Sequence, residues 1–385
     1  MRIAVDALSV LPNETGGGEV YLSSLLRAME SPPPGSSHEV VVHCTERSAP
    51  LFREAGAVRL VRHPLDNRSR ARRLLFEHLR LSSHLARDGT EVLFAPGNAL
   101  PLRVPCRSVL GVQSLHAFVV PEEMSKFRVA YFRRVVPWSA RRADRVLCVS
   151  EDLRRTLLRV VPDVDPAKVR VVPEATPDDV ARVEDAARVA GVCARFGVQP
   201  GRFVLFVSSL NPFKRPERAV EAVARIRRED GSAWPLLLAG RASDEHSARV
   251  VAAARAAGAE DLLRIAGVVG RADLAALYTG ARAMVYPSVV ETWGLPPLEA
   301  MRCGCPVVAS DRTSVPEVCG DAALLVDPDD VGALAAALRR ALTDETTRAG
   351  LVERGRRRAA ALTWRDAALG TYAVLAEAAA APPRT

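Results

Sequence analysis

Residues 286–309 read YPSVVETWGLPPLEAMRCGCPVVA. An apolar run ends at Tyr286 and Pro287, and a loop carries Glu291, Thr292, Trp293 and Gly294. A helix opens near Pro296 and Pro297, where proline is tolerated because a first-turn N–H has no intrahelical partner. A second apolar run, Pro306–Ala309, follows. Two short apolar runs joined through a helix form a strand–helix–strand unit with parallel strands. Glu299 falls just inside the helix, eight residues after Glu291 in the loop, so the two are not partners on one helical face. Only the fold can bring both to one ligand. The backbone amides of residues 293–295 suit a phosphate, with the carboxylates taking hydroxyls on either side. Either glutamate alone reads as a solvated surface residue; the whole block does not.

The same alternation runs outward in both directions. Upstream, strand patterns fall at Arg2–Val5, Val40–His43, Val92–Ala95, Ser108–Val112, Val146–Val149 and Val169–Val172. A second series comprises Phe203–Val207, Leu236–Ala239, Leu263–Ala266, Ala283–Tyr286, Pro306–Ala309 and Leu324–Val326. Helical periodicity fills the intervals, as at Val20–Met29, Ala71–Ala86, Ser125–Arg142, Pro216–Arg228 and Val331–Leu342. The strand pattern stops between Pro173 and Gly201. The expected architecture is therefore α/β, with two doubly wound parallel-sheet domains facing an interdomain cleft: 1–175, a linker at 176–200, and 201–362. The tail from Thr363 to Ala381 reads as a further helix. Ligands of such sheets lie beyond the carboxyl ends of the strands.

Composition narrows the function. The 385 residues are 48% apolar and 25% charged, which fits a globular chain of two to three domains and excludes a disordered one. No apolar run approaches a membrane span, and MRIAVDALSV reads as a first strand rather than a signal peptide. The seven cysteines are scattered without a C-x-x-C pair, which predicts reduced thiols and a cytoplasmic protein. The net charge of +8 comes almost wholly from arginine, as a GC-rich, actinobacterium-like genome would encode. Lys126, Lys168 and Lys214 are its only lysines. A nucleic-acid partner is not expected: aromatics are 5%, and no zinc-finger, RNP-type or helix-turn-helix pattern is present.

Two further segments carry candidate chemistry. Gly16-Gly17-Gly18 precedes the first helix, where glycine allows close backbone approach to an anion. It is neither a dinucleotide fingerprint nor a Walker loop, since Tyr21 stands at the third glycine position and no G-K-[ST] follows. A plain flexible turn is the competing reading. SSLNPFKR, residues 208–215, follows a strand and places Lys214 just before a helix. A cation gains nothing from a helix N-terminus, so Lys214 reads as a diphosphate partner rather than a solvated first-turn residue.

The block E-T-W-G-L-P-P-L-E-A-M-x-C-G-x-P-V-V-A-S-D resembles the E-x7-E region of the family-four retaining glycosyltransferases. The segments S-V-P-E-V-x-G-D-A-A-L-L-V-D-P, F-A-P-G-N-A-L-P, V-P-E-E-M-S and V-V-P-E-A also resemble that family, so nearly the whole chain is covered. The resemblance implies a GT-B architecture, a C-terminal helix, 363–385, that packs back to complete the first domain, and a nucleotide-sugar donor held mainly by the second domain. Glu299 would accept hydrogen bonds from the ribose. Glu291, with Thr292 and the Trp293, Gly294 and Leu295 backbone, would hold the donor sugar. Lys214 would neutralise the departing diphosphate, helped by Ser209, Asn211 and Arg215, with Gly17 and Gly18 on the first domain. Val268 lies in the loop implied to meet the base. Asn98 and His116 are the acceptor-side candidates. No cofactor beyond the nucleotide-sugar co-substrate and no metal is expected, since there is no D-x-D motif.

Two departures stand out. Many members carry His-Asp after the fourth strand; here Gln113 takes the histidine position, and glutamine carries no proton at neutral pH. His116, three residues on, is the candidate substitute. Phe213 stands where a phosphate-binding arginine often precedes the lysine. The expected function is transfer of a hexose-type sugar, from a UDP-sugar or else a GDP-sugar, to a hydroxyl of a small-molecule, antibiotic-like or saccharide acceptor. The alternatives are an inactive nucleotide-sugar-binding paralogue and a lipid-linked or polysaccharide glycosyltransferase. A nucleotide-sugar epimerase would share the fold but lack this block. Residues 62–87 hold seven arginines, and 126–145 hold Lys126 and six arginines among Phe127, Tyr131, Phe132 and Trp138. These stretches read as helices with aromatics facing the core and arginines solvated, hence at most weak membrane-surface contact.

Overall fold

The apolar runs that open each half of the chain become central strands of two separate sheets. The computed structural model describes residues 1–12, 16–53, 58–66 and 68–382. The chain divides into two compact units, 1–174 with 364–385, and 175–363.

The first unit holds β1 (Arg2–Asp6), β2 (Glu39–Thr45), β3 (Arg59–His63), β4 (Val92–Ala95), β5 (Arg107–Val112), β6 (Arg145–Cys148) and β7 (Val169–Val171). All pair in parallel, in the order β3-β2-β1-β4-β5-β6-β7. Its helices are α1 (Gly17–Ala28), α2 (Ala49–Phe52), α3 (Arg70–Leu79), α4 (Leu81–Arg87), α5 (His116–Val119), α6 (Lys126–Arg142) and α7 (Glu151–Val160). Ile3, Val5, Val41, Phe94, Leu110 and Leu147 are fully buried, as strands covered on both faces require.

Two local features differ from the sequence reading. β3, RLVRH, has no counterpart there, because an edge strand needs no continuous apolar run and tolerates arginine. The expected helix Ala71–Ala86 is two helices, α3 and α4. The Ser83 hydroxyl donates to the Arg80 carbonyl at 2.7 Å, in competition with the helical ladder.

The second unit opens with α8 (Ala186–Arg195) and holds β8 (Val204–Val207), β9 (Leu236–Ala239), β10 (Leu263–Gly267), β11 (Ala283–Tyr286), β12 (Val307–Ser310) and β13 (Ala323–Val326). These are parallel, in the order β10-β9-β8-β11-β12-β13. Between and after them lie α9 (Pro216–Asp230), α10 (Asp244–Ala256), α11 (Arg271–Gly280), α12 (Leu295–Arg302), α13 (Val315–Cys319), α14 (Val331–Thr343) and α15 (Glu345–Ala360). Phe206, Val220, Leu238, Val285, Val308 and Leu338 share one core.

Residues 176–200, expected as a linker, belong to this unit. Asp185 caps α8, which buries Val189, Val192 and Cys193 and packs on α11. A Cβ on Gly280 would meet Cys193 Sγ at 2.8 Å, so only glycine permits that approach.

The last helix, α16 (Trp364–Ala379), lies in the first unit against α1 and β4–β6. Tyr372 donates to the Met29 carbonyl at 2.6 Å, and Glu377 pairs with Arg145 and Arg170, both at 2.9 Å. Residues 383–385 of the expected tail lie outside the described residues. Among those described, no helix is long and apolar enough to cross a membrane.

Candidate active site

In the second unit the strand order reverses between β8 and β11, which lie side by side. Connections leaving their carboxyl ends run to opposite faces, which opens a crevice at that point. The β8 loop delivers Lys214 and the β11 loop delivers Glu291. Val289 N–H donates to the Phe213 carbonyl at 2.9 Å and so ties the two loops together.

Lys214 Nζ donates to both carboxylate oxygens of Glu291, at 2.7 and 2.8 Å. The side chains are 13% and 9% exposed, so the pair is largely withdrawn from water. Tyr286, the last residue of β11, donates its hydroxyl to Glu291 Oε1. The Glu291 N–H donates to Thr313 Oγ1 at 3.0 Å. An ammonium has three N–H donors; two are held by Glu291, which leaves one for an anion.

Backbone conformation fixes this corner. Arg215 at φ 53° turns the chain from the Pro212–Lys214 turn directly into α9. Thr313 is also left-handed, at φ 52°, a costly state for a β-branched residue. Its hydroxyl is the group that receives Glu291 N–H. Gly240, at φ 155°, ends β9 beside the β8 loop; a Cβ there would lie 1.9 Å from the Ser208 carbonyl oxygen.

Glu299 sits in the second turn of α12, behind Gly294, which is left-handed at φ 108°. It is buried, and Tyr278 from α11 donates to its Oε2 at 2.9 Å. Burial pushes the Glu299 carboxyl up, while the Tyr278 hydrogen bond and the Arg271 charge pull it down. Arg271 is itself held by Asp179 through two contacts of 2.5 Å. Burial and the adjacent Glu291 carboxylate push the Tyr286 phenol well up, which keeps it a hydrogen-bond donor. Trp293 is buried, and its carbonyl accepts from Ser314 at 2.9 Å. Ser209, Asn211 and Thr292 line the same loops at intermediate exposure, Arg215 pairs with Asp329 at 3.5 Å, and Val268 is exposed.

Sequence reasoning missed Tyr278, Tyr286, Arg271 and Thr313. Tyr286 stood inside the quoted block as the final strand residue. The other three lie 21–28 residues from what they hold or face, and no local pattern marks them.

On the first unit, Gly17 and Gly18 form the first turn of α1. Asn98, left-handed at φ 65°, follows β4, and its Oδ1 accepts from the Gln113 and Ser114 N–H groups at 2.7 and 3.3 Å. It thereby shapes the loop after β5. His116 Nδ1 lies 2.7 Å from Ser114 Oγ, within its own turn. The Gln113 side chain meets the buried Tyr21 hydroxyl and opposes the rise of its phenol. The Tyr21 phenol is pushed up by burial and by the charge of Glu174. Glu174, also buried, is pushed up to about 8 by desolvation.

Two parallel α/β units, with a lysine–carboxylate pair at the strand-order reversal of the second, define a GT-B type of protein. The family description Glycosyl transferases group 1 matches residues 197–358, and Glycosyltransferase Family 4 matches 15–179. The chain is 32% identical to an O-antigen chain mannosyltransferase B of Escherichia coli over 290 residues, 75% of each chain. It is 34% identical to a D-inositol 3-phosphate glycosyltransferase of Kineococcus radiotolerans over 249 residues, 60% of this chain and 57% of that one. The Anabaena protein HepE, solved with UDP and glucose, superposes with a TM-score of 0.76 at 17% identity, over 98% of this chain and 99% of that one. The chain belongs to the group 1, family-four glycosyltransferases.

Proposed function

We propose that this glycosyltransferase moves a hexose, with retention at the anomeric carbon and without a metal ion, from a nucleotide sugar to a hydroxyl of a small-molecule or saccharide acceptor. UDP is the preferred carrier and GDP the alternative. The observation that carries the reading is the buried Lys214–Glu291 pair at the β8–β11 reversal, with Glu299 behind it on α12. HepE was solved with UDP, and the E. coli relative is a mannosyltransferase. These support a nucleotide-linked hexose donor.

In this reading Glu299 takes the ribose hydroxyls, with Oε2 fixed by Tyr278. Glu291 and the amides of Trp293 to Leu295 orient the sugar. As the glycosidic bond breaks, negative charge builds on the leaving diphosphate, and the third Lys214 N–H is positioned for it. A fixed donor aimed at developing charge accelerates the step, because it does not reorganise during reaction. Gly17 and Gly18 assist at the diphosphate, and Asn98, Gln113 and His116 serve the acceptor side. Asn98 acts there through the backbone it holds.

A thermal-shift panel with UDP, GDP, ADP and dTDP tests the donor, since a ligand specific for the folded state raises the midpoint. UDP is expected to give the largest rise; no rise with any of the four removes the donor reading. Proton NMR of the product is expected to show retained configuration, and EDTA is expected to leave turnover intact. An inverted linkage or loss of turnover in EDTA overturns the corresponding part.

A further inference from the structure

β7 ends at Val171, and Val172, Pro173 and Glu174 carry the chain away from the carboxyl end of the first sheet. This exit is anchored on two sides. Val172 N–H donates to the Cys148 carbonyl at 2.9 Å, and a Cβ on Gly370 of α16 would lie 3.2 Å from Val172 Cγ1. Glu174 follows on the anchored segment and is 6% exposed. Five acidic side chains are buried among the described residues, and four of them are answered. Asp6 accepts from Leu8 N–H at 3.1 Å, Glu77 faces Arg73 at 3.5 Å, Asp144 accepts from Ser108 N–H at 2.8 Å, and Glu299 accepts from Tyr278. Glu174 has neither a hydrogen bond nor an ion pair among the described residues. A buried polar group without a partner is costly, and native folds keep few of them.

Two polar side chains share its corner. Tyr21 lies in the second turn of α1, is 3% exposed, and feels the charge of Glu174. Its ring is held edge-on by Trp364 at 6.0 Å. Gln113, at the carboxyl end of β5, meets the Tyr21 hydroxyl, and its own backbone is fixed by Asn98. The three residues thus gather at the carboxyl ends of the strands, where α/β sheets take their ligands.

The corner carries no opposing charge. Burial pushes the Glu174 carboxyl up to about 8 and is the one cause of the rise, which a facing cation would oppose. The cations near it along the chain are engaged elsewhere. Arg145 and Arg170 both pair with Glu377 at 2.9 Å, Lys168 donates to the Arg141 and Ala143 carbonyls at 3.0 and 3.1 Å, and Arg154 of α7 pairs with Glu151 at 3.4 Å. Tyr21 is the titratable group that meets Glu174. A carboxylic acid, a phenol and an amide offer donors and acceptors without net charge. That set suits a hydroxyl, which both donates and accepts, whereas a phosphate or carboxylate would find no cation to receive it.

We propose that Glu174, with Tyr21 and Gln113, forms a subsite on the first unit for a hydroxyl of an uncharged sugar or polyol. Its role as the acceptor side rests on the proposed transfer reaction. The acid O–H donates to the ligand oxygen, and the ligand supplies the partner that the chain does not. A neutral ligand seated there also removes the remaining water from the carboxyl, which favours its protonated form further. By linkage, binding weakens as pH rises through about 8.

Saturation-transfer NMR of the full chain with UDP and the methyl glycosides of mannose, glucose and galactose tests it, with the phosphate esters of the same sugars as the anionic comparison. At least one glycoside is expected to bind at pH 7, more tightly than its phosphate ester. Its affinity is expected to fall about tenfold by pH 9, the span over which a group near 8 loses its proton. E174A is expected to weaken binding at pH 7 at least ~tenfold, from the lost hydrogen bond. E174Q, whose amide donates but cannot ionise, is expected to recover most of that loss and to remove the alkaline fall. If E174A does not fold, E174Q decides the matter by its pH dependence. No glycoside binding, tighter binding of the phosphate esters, wild-type binding by E174A, or an alkaline fall that persists in E174Q each overturns the proposal. A UDP-induced rise in melting temperature without glycoside binding removes this subsite and leaves the donor reading standing, and glycoside binding lost in E174A without a UDP-induced rise does the reverse.

Discussion

Tyr278 and Glu299 are 21 residues apart in sequence and joined by a buried hydrogen bond of 2.9 Å, the phenol donating to the carboxylate. The bond opposes the rise that burial imposes on the Glu299 carboxyl. It also sets the direction in which the other carboxylate oxygen is presented.

Glu299→Gln is expected to weaken nucleoside diphosphate binding by about 1.5–3 kcal/mol, the scale of a hydrogen bond to a charged group. Calorimetric titration measures it, and unchanged affinity removes the ribose role. Tyr278→Phe takes away the interaction that favours the ionised form, so the Glu299 carboxyl rises further. Its affinity is expected to fall at neutral pH and to recover as pH rises. A pH-independent loss would mean that the phenylalanine acts through packing instead.

Lys214→Ala and Glu291→Ala are each expected to cut turnover at least ~100-fold, as removal of a preorganised electrostatic group does. Near-normal rates in both would sink the assigned site. The single changes also leave a buried charge unpaired, so each is expected to lower stability by about 3 kcal/mol. Removing both partners together is expected to cost less than the sum of the singles, which a double-mutant cycle by denaturant unfolding reads directly.

Gly240→Ala is expected to destabilise the second unit by at least ~2 kcal/mol, since the new methyl group meets a backbone oxygen rather than a yielding side chain. Relief of the clash moves the Ser208 peptide and with it the loop that carries Lys214. Turnover is therefore expected to fall together with the melting temperature. A stable variant with native turnover would show that the loop tolerates displacement.

His43 Nδ1 and His63 Nε2 lie 3.1 Å apart in the first unit, both buried. Burial, then neighbouring imidazoles, lowers each to about 4, against partial relief from Asp88; Arg59 also lowers His43. The unfolded chain, near 6.5, binds protons first as pH falls. The stability of the neutral pair is thus complete above about 6.5 and lost progressively toward 4. Scanning calorimetry from pH 7 to 4 is expected to show a falling midpoint, flattened in a His43→Leu/His63→Phe variant. The same slope in that variant would place the acid sensitivity elsewhere.

Much of the architecture was legible because it rests on local periodicity. A continuous apolar run such as Val204–Val207 or Ala283–Tyr286 cannot stay in water, and its alternation with helices admits parallel sheets almost alone. The E-x7-E block was legible for a related reason: its strand end, loop and proline-opened helix are contiguous in sequence. β3 was not, because an edge strand with two arginines carries only a weak apolar signal. Phe127, read as facing the core, stands 79% exposed in the first turn of α6, because residue type alone gives no direction.

The sequence by itself determined the class of fold, the order of its elements, and which loops carry carboxylates and the rare lysine. The tertiary structure decided the pairings. Lys214 meets Glu291 across 77 residues because strand order places β8 beside β11, and strand order follows from how the crossover helices cover both faces of the sheet. Tyr278, Tyr286 and Thr313 were assigned to their carboxylates or loop only once those helices packed. Hydrogen bonds act over about 3 Å, so they are set by the distances between folded backbones, which sequence separation does not encode.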